Sequence, residues 1–131
     1  MEKFTRYAIL CLVIGSSFNS LRGQENPQRV LRHVVVFQFK ADTGEAKIGE
    51  IVNAFGALQS QIPEIKGFEW GTNNSPEGLN KGLTHCFTLT FHSEADRDAY
   101  LPHPAHKAFG EIAGPHIADV FVVDYWAQSA P

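Results

Sequence analysis

The stretch Tyr100, Leu101, Pro102, His103, Pro104, Ala105, His106, Lys107, Ala108, Phe109 gathers a phenol, two imidazoles and two prolines into ten residues of a chain that has three tyrosines and six histidines in all. Pro104 suits the first turn of a helix, where its fixed φ fits and no amide partner is missed. That placement makes His103 the cap and sets His106 in the first turn. The free amides and the positive end of a helix disfavour an imidazolium beside them, so His106 is expected as a neutral acceptor near pH 7. His103 and His106 are also three residues apart on one helix, a spacing two metal ligands can use. Catalytic zinc needs three protein ligands, and the sequence places no third, so no metal is expected.

The elements that must hold this stretch follow from hydrophobic period. From Arg32 to Lys40 the chain is β-branched and aromatic, a strand with His33, Val35, Phe37 and Phe39 on one face and Val34, Val36 and Gln38 on the other. Asp42 to Glu45 resembles a capping box, and Ile48, Ile51, Val52, Phe55, Leu58 and Ile62 then recur at helical spacing until Pro63. Strands are expected from Ile65 to Asn73 and from Leu83 to His92, separated by a loop dense in Asn, Gly, Ser and Pro. His85, Phe87, Leu89 and Phe91 share one face of the second of these. Ser93 opens a short helix ending near Leu101, the helix of His106, Phe109 and Ile112 follows, and Gly114 with Pro115 ends it. Ile117 to Trp126 is the last strand, with Ile117 and Phe121 expected on one face.

The resulting order, β-α-β-β-α-β, predicts an α+β, ferredoxin-like sheet with the first and third strands adjacent in its middle and helices on one face. The other face is expected to display Val34, Val36, Val120, Val122 and Trp126, with Cys86 among them. Apolar sheet left in water marks an interface, so a second copy of the chain is expected over it, as a homodimer.

Ahead of the domain, Lys3 and Arg6 precede an apolar run from Ala8 to Ile14, then Gly15, Ser16 and Ser17. This is the layout of a secretory signal over residues 1–23, followed by a polar leader over 24–30 and one domain over 31–127. The apolar run is far short of the roughly 20 residues that span a bilayer. A secreted or periplasmic protein, without a membrane anchor once cleaved, is the expectation. Cleavage removes three of the eleven basic residues and one of the fourteen acidic ones, leaving eight against thirteen. An acidic chain without a basic run has no electrostatic footprint for nucleic acid. Cys86 would be the one cysteine left, so no internal disulfide is expected and packing must supply the stability.

Five segments carry a resemblance to a known family: Leu31 to Lys40, Gly67 to Gly71, Thr84 to Phe91, Tyr100 to Phe109 and Val123 to Tyr125. In this order they resemble the Dabb proteins, also called stress-response A/B barrel proteins. The resemblance implies a dimeric α+β barrel. Within the family the chain looks most like a plant polyketide cyclase, and this implies a pocket using His33, His85, Tyr100 and His106, with Tyr100 and His106 the catalytic pair and His33 and His85 binding substrate. The implied reaction is an intramolecular aldol-type closure or a related isomerase or lyase step on a small apolar or oxygenated ligand, without a cofactor. A neutral His106 can take a proton α to a carbonyl while the Tyr100 hydroxyl donates to the oxygen that becomes negative. Two alternatives stand beside this reading. One is a pocket that binds a small ligand without turning it over, and the other is a stress-protective structural dimer.

Overall fold

A computed structural model describes residues 29–128, so the expected signal and most of the leader lie outside the described residues. The β-branched run Leu31–Phe39 forms β1, and β2 (Gly67–Thr72), β3 (His85–Phe91) and β4 (Ile117–Trp126) complete one antiparallel sheet in the order β2-β3-β1-β4. Helices α1 (Glu45–Gln61), α2 (Glu94–Tyr100) and α3 (Pro104–Ala113) cover one face, and a 3-10 turn (Gly114–His116) leads into β4. This is the ferredoxin-like α+β arrangement expected from the element order.

The helical period buries Ile51, Val52, Phe55 and Leu58 of α1 against the sheet. Phe55 stacks on Phe109 of α3 at 4.4 Å between ring centroids and meets Phe87 of β3 at 4.8 Å and Phe37 of β1 at 6.0 Å. These rings tie both long helices to the two central strands. Each fully buried ring contributes about 1.5–3 kcal/mol of apolar transfer. The expected capping box does not form: α1 begins at Glu45 with Gly44 as its cap and no side-chain cap bond. The preceding turn is held elsewhere. Thr43 N donates to the Lys40 carbonyl at 3.0 Å, and Lys40 N donates to the His116 carbonyl at 2.8 Å.

The open face differs from the sequence expectation in a specific way. On β1 and β3 residues of like parity pair, as in Val36 with Cys86, whereas on β1 and β4 odd pairs with even, as in Val34 with Val123 and Val36 with Phe121. Paired residues lie on the same face of a sheet. The exposed face therefore carries Val34, Val36, Phe121, Val123 and Tyr125, and Cys86 is among them as expected. Val120, Val122 and Trp126 lie on the helix side, opposite Phe37, Val35 and Leu31, where Val120 and Val122 are still half exposed, as expected, though on the other face. The register shift between Gln38 and Phe39 also turns Ile117 inward, where it packs on the core instead of sharing a face with Phe121. Phe121, Val123 and Tyr125 are 40–50% exposed. An open groove of about 730 Å³ crosses this face under the β2–β3 loop, lined by Val36, Cys86, Thr88, Phe121 and Leu79 among others.

Candidate functional site

The corner between α2 and α3 is built by local capping. Ser93 Oγ accepts from Asp96 N at 3.0 Å to start α2, and His103 Nδ1 accepts from Ala105 N at 3.1 Å to start α3 with Pro104 in its first turn. His103 is thus occupied as a cap, as its position before the proline predicts. His103 N also donates to the Tyr100 carbonyl at 3.0 Å, closing the turn between the helices. Tyr100 and His106 are brought face to face by this corner. Their ring centroids are 4.2 Å apart with planes 32° from parallel.

The His106 ring lies 2.9 Å through Nδ1 from the Leu101 carbonyl. A carbonyl can only accept, so Nδ1 carries the proton and donates; in the neutral ring Nε2 is then the lone-pair nitrogen. Tyr100 is fully buried, and its hydroxyl is a buried side-chain polar atom with no hydrogen-bond partner among the described residues. Burial, reinforced by the nearby charge of Asp124, pushes the phenol above its ordinary value of 10.0. Tyr100 therefore keeps its proton at physiological pH and can act as a donor, not as a base.

His33 completes the cluster from β1. Its ring meets Tyr100 edge-on at 5.7 Å, and its Nδ1 donates to Asp124 Oδ1 of β4 at 2.6 Å. The other carboxylate oxygen of Asp124 accepts from Arg97 Nη1 at 3.0 Å. Arg97 also donates to Asp98 through Nε and Nη2, at 3.0 and 2.9 Å. These bonds, that to Asp98 first, hold the guanidinium above its ordinary range against the lowering effect of desolvation.

His85 is elsewhere. It pairs with Phe37, whereas His33 pairs with Leu89, so the two histidines are four residues apart along the sheet, roughly 13 Å. His85 meets Phe39 edge-on at 5.0 Å, lies parallel to Trp70 at 6.4 Å and bonds Thr84 Oγ1 at 2.9 Å. Burial lowers its pKa from 6.5, with Glu45 opposing. The elongated hollow that would let His33 and His85 face one ligand is not found between them, because Val35, Phe37, Phe87 and Leu89 are buried there and packed as core. The structure thus assembles Tyr100, His106 and His33 and leaves His85 apart.

Asp124 and Arg97 were missed by sequence reasoning. Asp124 had a signal, since it is one charge inside the apolar run from Val120 to Trp126. Arg97 had none, because its reach to Asp124 depends on how α2 lies across β4. Among the described residues no group of three or more His, Cys, Asp or Glu is arranged to hold a metal, and no helix is long and apolar enough to cross a membrane.

The sequence pattern of the Dabb family, the stress responsive A/B barrel domain, matches residues 31–127. The chain is 35% identical over 101 residues to the stress-response A/B barrel domain-containing protein HS1 of Arabidopsis thaliana, an overlap of 77% of this chain and 93% of that protein. It is 30% identical over 95 residues to olivetolic acid cyclase of Cannabis sativa, covering 72% and 94%. Among solved structures, the hydroxynitrile lyase from Passiflora edulis superposes with a TM-score of 0.74 at 30% identity, over 79% of this chain and 98% of that one. A dimeric ferredoxin-like protein of unknown function from Jannaschia sp. superposes with a TM-score of 0.62 at 26% identity, over 73% and 97%.

Proposed function

We propose that this chain, which belongs to the Dabb family of stress responsive A/B barrel proteins, is a general acid/base enzyme of the cyclase or lyase kind that needs no cofactor for its chemical step. One observation carries this reading: the Tyr100 hydroxyl is buried without a partner while its ring touches both His106 and His33. A buried hydroxyl left unpaired costs about 1–3 kcal/mol. An arrangement that keeps such a group beside an imidazole acceptor suits a ligand oxygen that takes the hydrogen bond.

In this reading His106 Nε2 accepts a proton from substrate and Tyr100 O–H donates to a substrate oxygen. For a cyclase the proton leaves a carbon α to a carbonyl, and the resulting carbanion closes on a second carbonyl whose oxygen Tyr100 stabilises. For a lyase the proton leaves the hydroxyl of a cyanohydrin as its carbon–carbon bond breaks and cyanide departs. In the cyclase the negative charge develops on the oxygen beside Tyr100, a donor that holds its proton; in the lyase it passes through that oxygen to the departing cyanide, which takes the proton back from His106. The relatives named olivetolic acid cyclase and hydroxynitrile lyase support both forms. Tyr100 is covered by its own chain, so this reading requires the α2–α3 corner to open before substrate meets the hydroxyl. His33 lies close enough to Tyr100 to orient the substrate, and His85 would do so only for a ligand extending roughly 13 Å along the sheet.

A second copy closing over Val34, Val36, Phe121 and Val123 belongs to the same proposal, supported by the apolar exposed face and by dimeric relatives in fold. So does export through residues 1–23, which N-terminal sequencing of the mature protein from its source would test. The filled phenylalanine core favours a second reading, a stress-protective dimer without turnover. The two separate in one experiment. Purified protein is offered an aromatic cyanohydrin, with cyanide release followed, and a linear triketone, with aromatic product followed. Turnover by the native protein that is lost in a folded His106→Ala variant supports the enzyme; equal rates in both overturn it.

A further inference from the structure

Behind His33 lies a line of charge that the acid/base step does not itself use. Arg97 stands one turn before Tyr100 on α2, and its Nη1 reaches across to Asp124 Oδ2 on β4 at 3.0 Å. Asp124 Oδ1 accepts from His33 Nδ1 at 2.6 Å. Each carboxylate oxygen is therefore engaged by a different partner, and rotating the carboxylate breaks one bond or the other. The side chains of Arg97 and Asp124 are only 21% and 26% exposed, so this is not the freely solvated ion pair whose contribution is near zero. Arg97 is itself held, because Nε and Nη2 bind Asp98 Oδ1 in a two-pronged grip. A lysine has no such fork.

The consequence falls on His33. A deprotonated carboxylate can only accept, so the bond from Nδ1 fixes the proton on that nitrogen, and the neutral ring keeps its lone pair on Nε2. A histidine free in water samples both tautomers and both ring orientations; this one, edge-on to Tyr100 and Phe91 at 5.7 and 6.3 Å, is confined to one. We propose that Arg97 is a positioning residue: through Asp124 it locks the tautomer and orientation of His33 and ties the helix that carries Tyr100 to the strand that carries Asp124. This inference rests on the reading of Tyr100 and His106 as the catalytic pair and adds to it a remote residue on which their geometry depends. The charged and titratable groups around the line are Asp98 and Tyr100 on α2, His33 on β1 and Asp124 on β4.

The test reads the tautomer directly, apart from any turnover. In protein labelled with ¹⁵N-histidine, long-range ¹⁵N–¹H spectra at about pH 8, above the ordinary histidine range, distinguish the two tautomers, and the His33 signals are assigned by their loss in His33→Gln. The native protein should show His33 in the Nδ1–H form alone. In Arg97→Gln the signals should move to a mixture of tautomers, and Arg97→Lys, with its single point of charge, should fall between. In the cyclase or lyase assay Arg97→Gln should lower kcat by on the order of 10²-fold, the effect of about 1 Å of misplacement, with KM little changed. Native tautomer behaviour in either folded variant overturns the proposal. Absence of turnover in the native protein refutes the enzyme reading and leaves the tautomer result standing by itself.

Discussion

Tyr100→Phe puts stability and function in opposition at a single atom. The substitution keeps the ring that packs against His106, Phe91 and His33, at centroid distances of 4.2, 5.3 and 5.7 Å, and deletes only the hydroxyl that has no partner. An unsatisfied buried hydroxyl costs about 1–3 kcal/mol. Removing it should stabilise the protein by about 1–2 kcal/mol, allowing for partial relaxation of the native site. For a domain of this size each 1 kcal/mol raises Tm by about 4–8 °C. The same deletion removes the donor proposed for the developing oxyanion, and loss of one such donor lowers kcat by about 10²–10³-fold. Thermal unfolding of both proteins, at one concentration because association contributes to Tm, and rates at saturating substrate make the comparison. A variant less stable by about 1 kcal/mol would mean that the hydroxyl has a partner in solution, which removes the reason for assigning it to substrate. A stable variant that retains full activity would refute its catalytic role.

Four further outcomes follow from the same geometry. Phe55→Ala, at the meeting point of Phe37, Phe87 and Phe109, should cost about 3–5 kcal/mol by urea unfolding; a loss under 1 kcal/mol, about the cost of an ordinary surface change, would mean the ring cluster is not the core. Ser93→Ala, which removes the cap bond to Asp96 N, should cost about 0.5–2 kcal/mol in the same measurement, and no change would show the start of α2 held by other contacts. Phe121→Asp should convert a sedimenting dimer to monomer, and an unchanged dimer would place the interface off the open face. His85 is held below its ordinary 6.5 by burial, so the unfolded chain protonates there more readily than the folded one. Its stabilising contribution is therefore complete above about pH 6.5 and declines as pH falls through that value toward the folded one. His85→Asn should flatten that part of the stability curve, and a difference between the two proteins that does not vary with pH would contradict the assignment.

What could be read from the residues was what depends on local period. Alternation marks β1 and β3, the spacing of Ile51, Phe55 and Leu58 marks α1, and Pro104 after His103 fixes the start of α3; each is set by neighbours within a few positions. The alternation of β4 was equally plain, yet it could not say which set faces outward. That depends on register: had β4 slipped by one residue against β1, Val122 and not Phe121 would lie in the open face. The capping box failed for a related reason, since a distant contact, Lys40 N to the His116 carbonyl, holds the turn before α1.

The candidate site divides along the same line. Tyr100 and His106 meet because the seven residues from one to the other fold one corner, and a cap, a proline and one carbonyl are enough to specify it. His33 joins them across more than sixty residues, and its partner Asp124 is ninety-one residues away from it. The alternation of β1 identifies the face of His33, but only strand pairing brings Asp124 opposite it, and only the placement of α2 brings Arg97 to Asp124. A charge in the middle of an apolar strand is the one local trace such a contact leaves, because a carboxylate partly withdrawn from water needs donors to offset the hydration it loses. Asp124 in the run from Val120 to Trp126 is that trace. Read with the β1–β4 register, it leads to a histidine on the neighbouring strand, and from there to a phenol that the histidine touches and that no atom of the described residues satisfies.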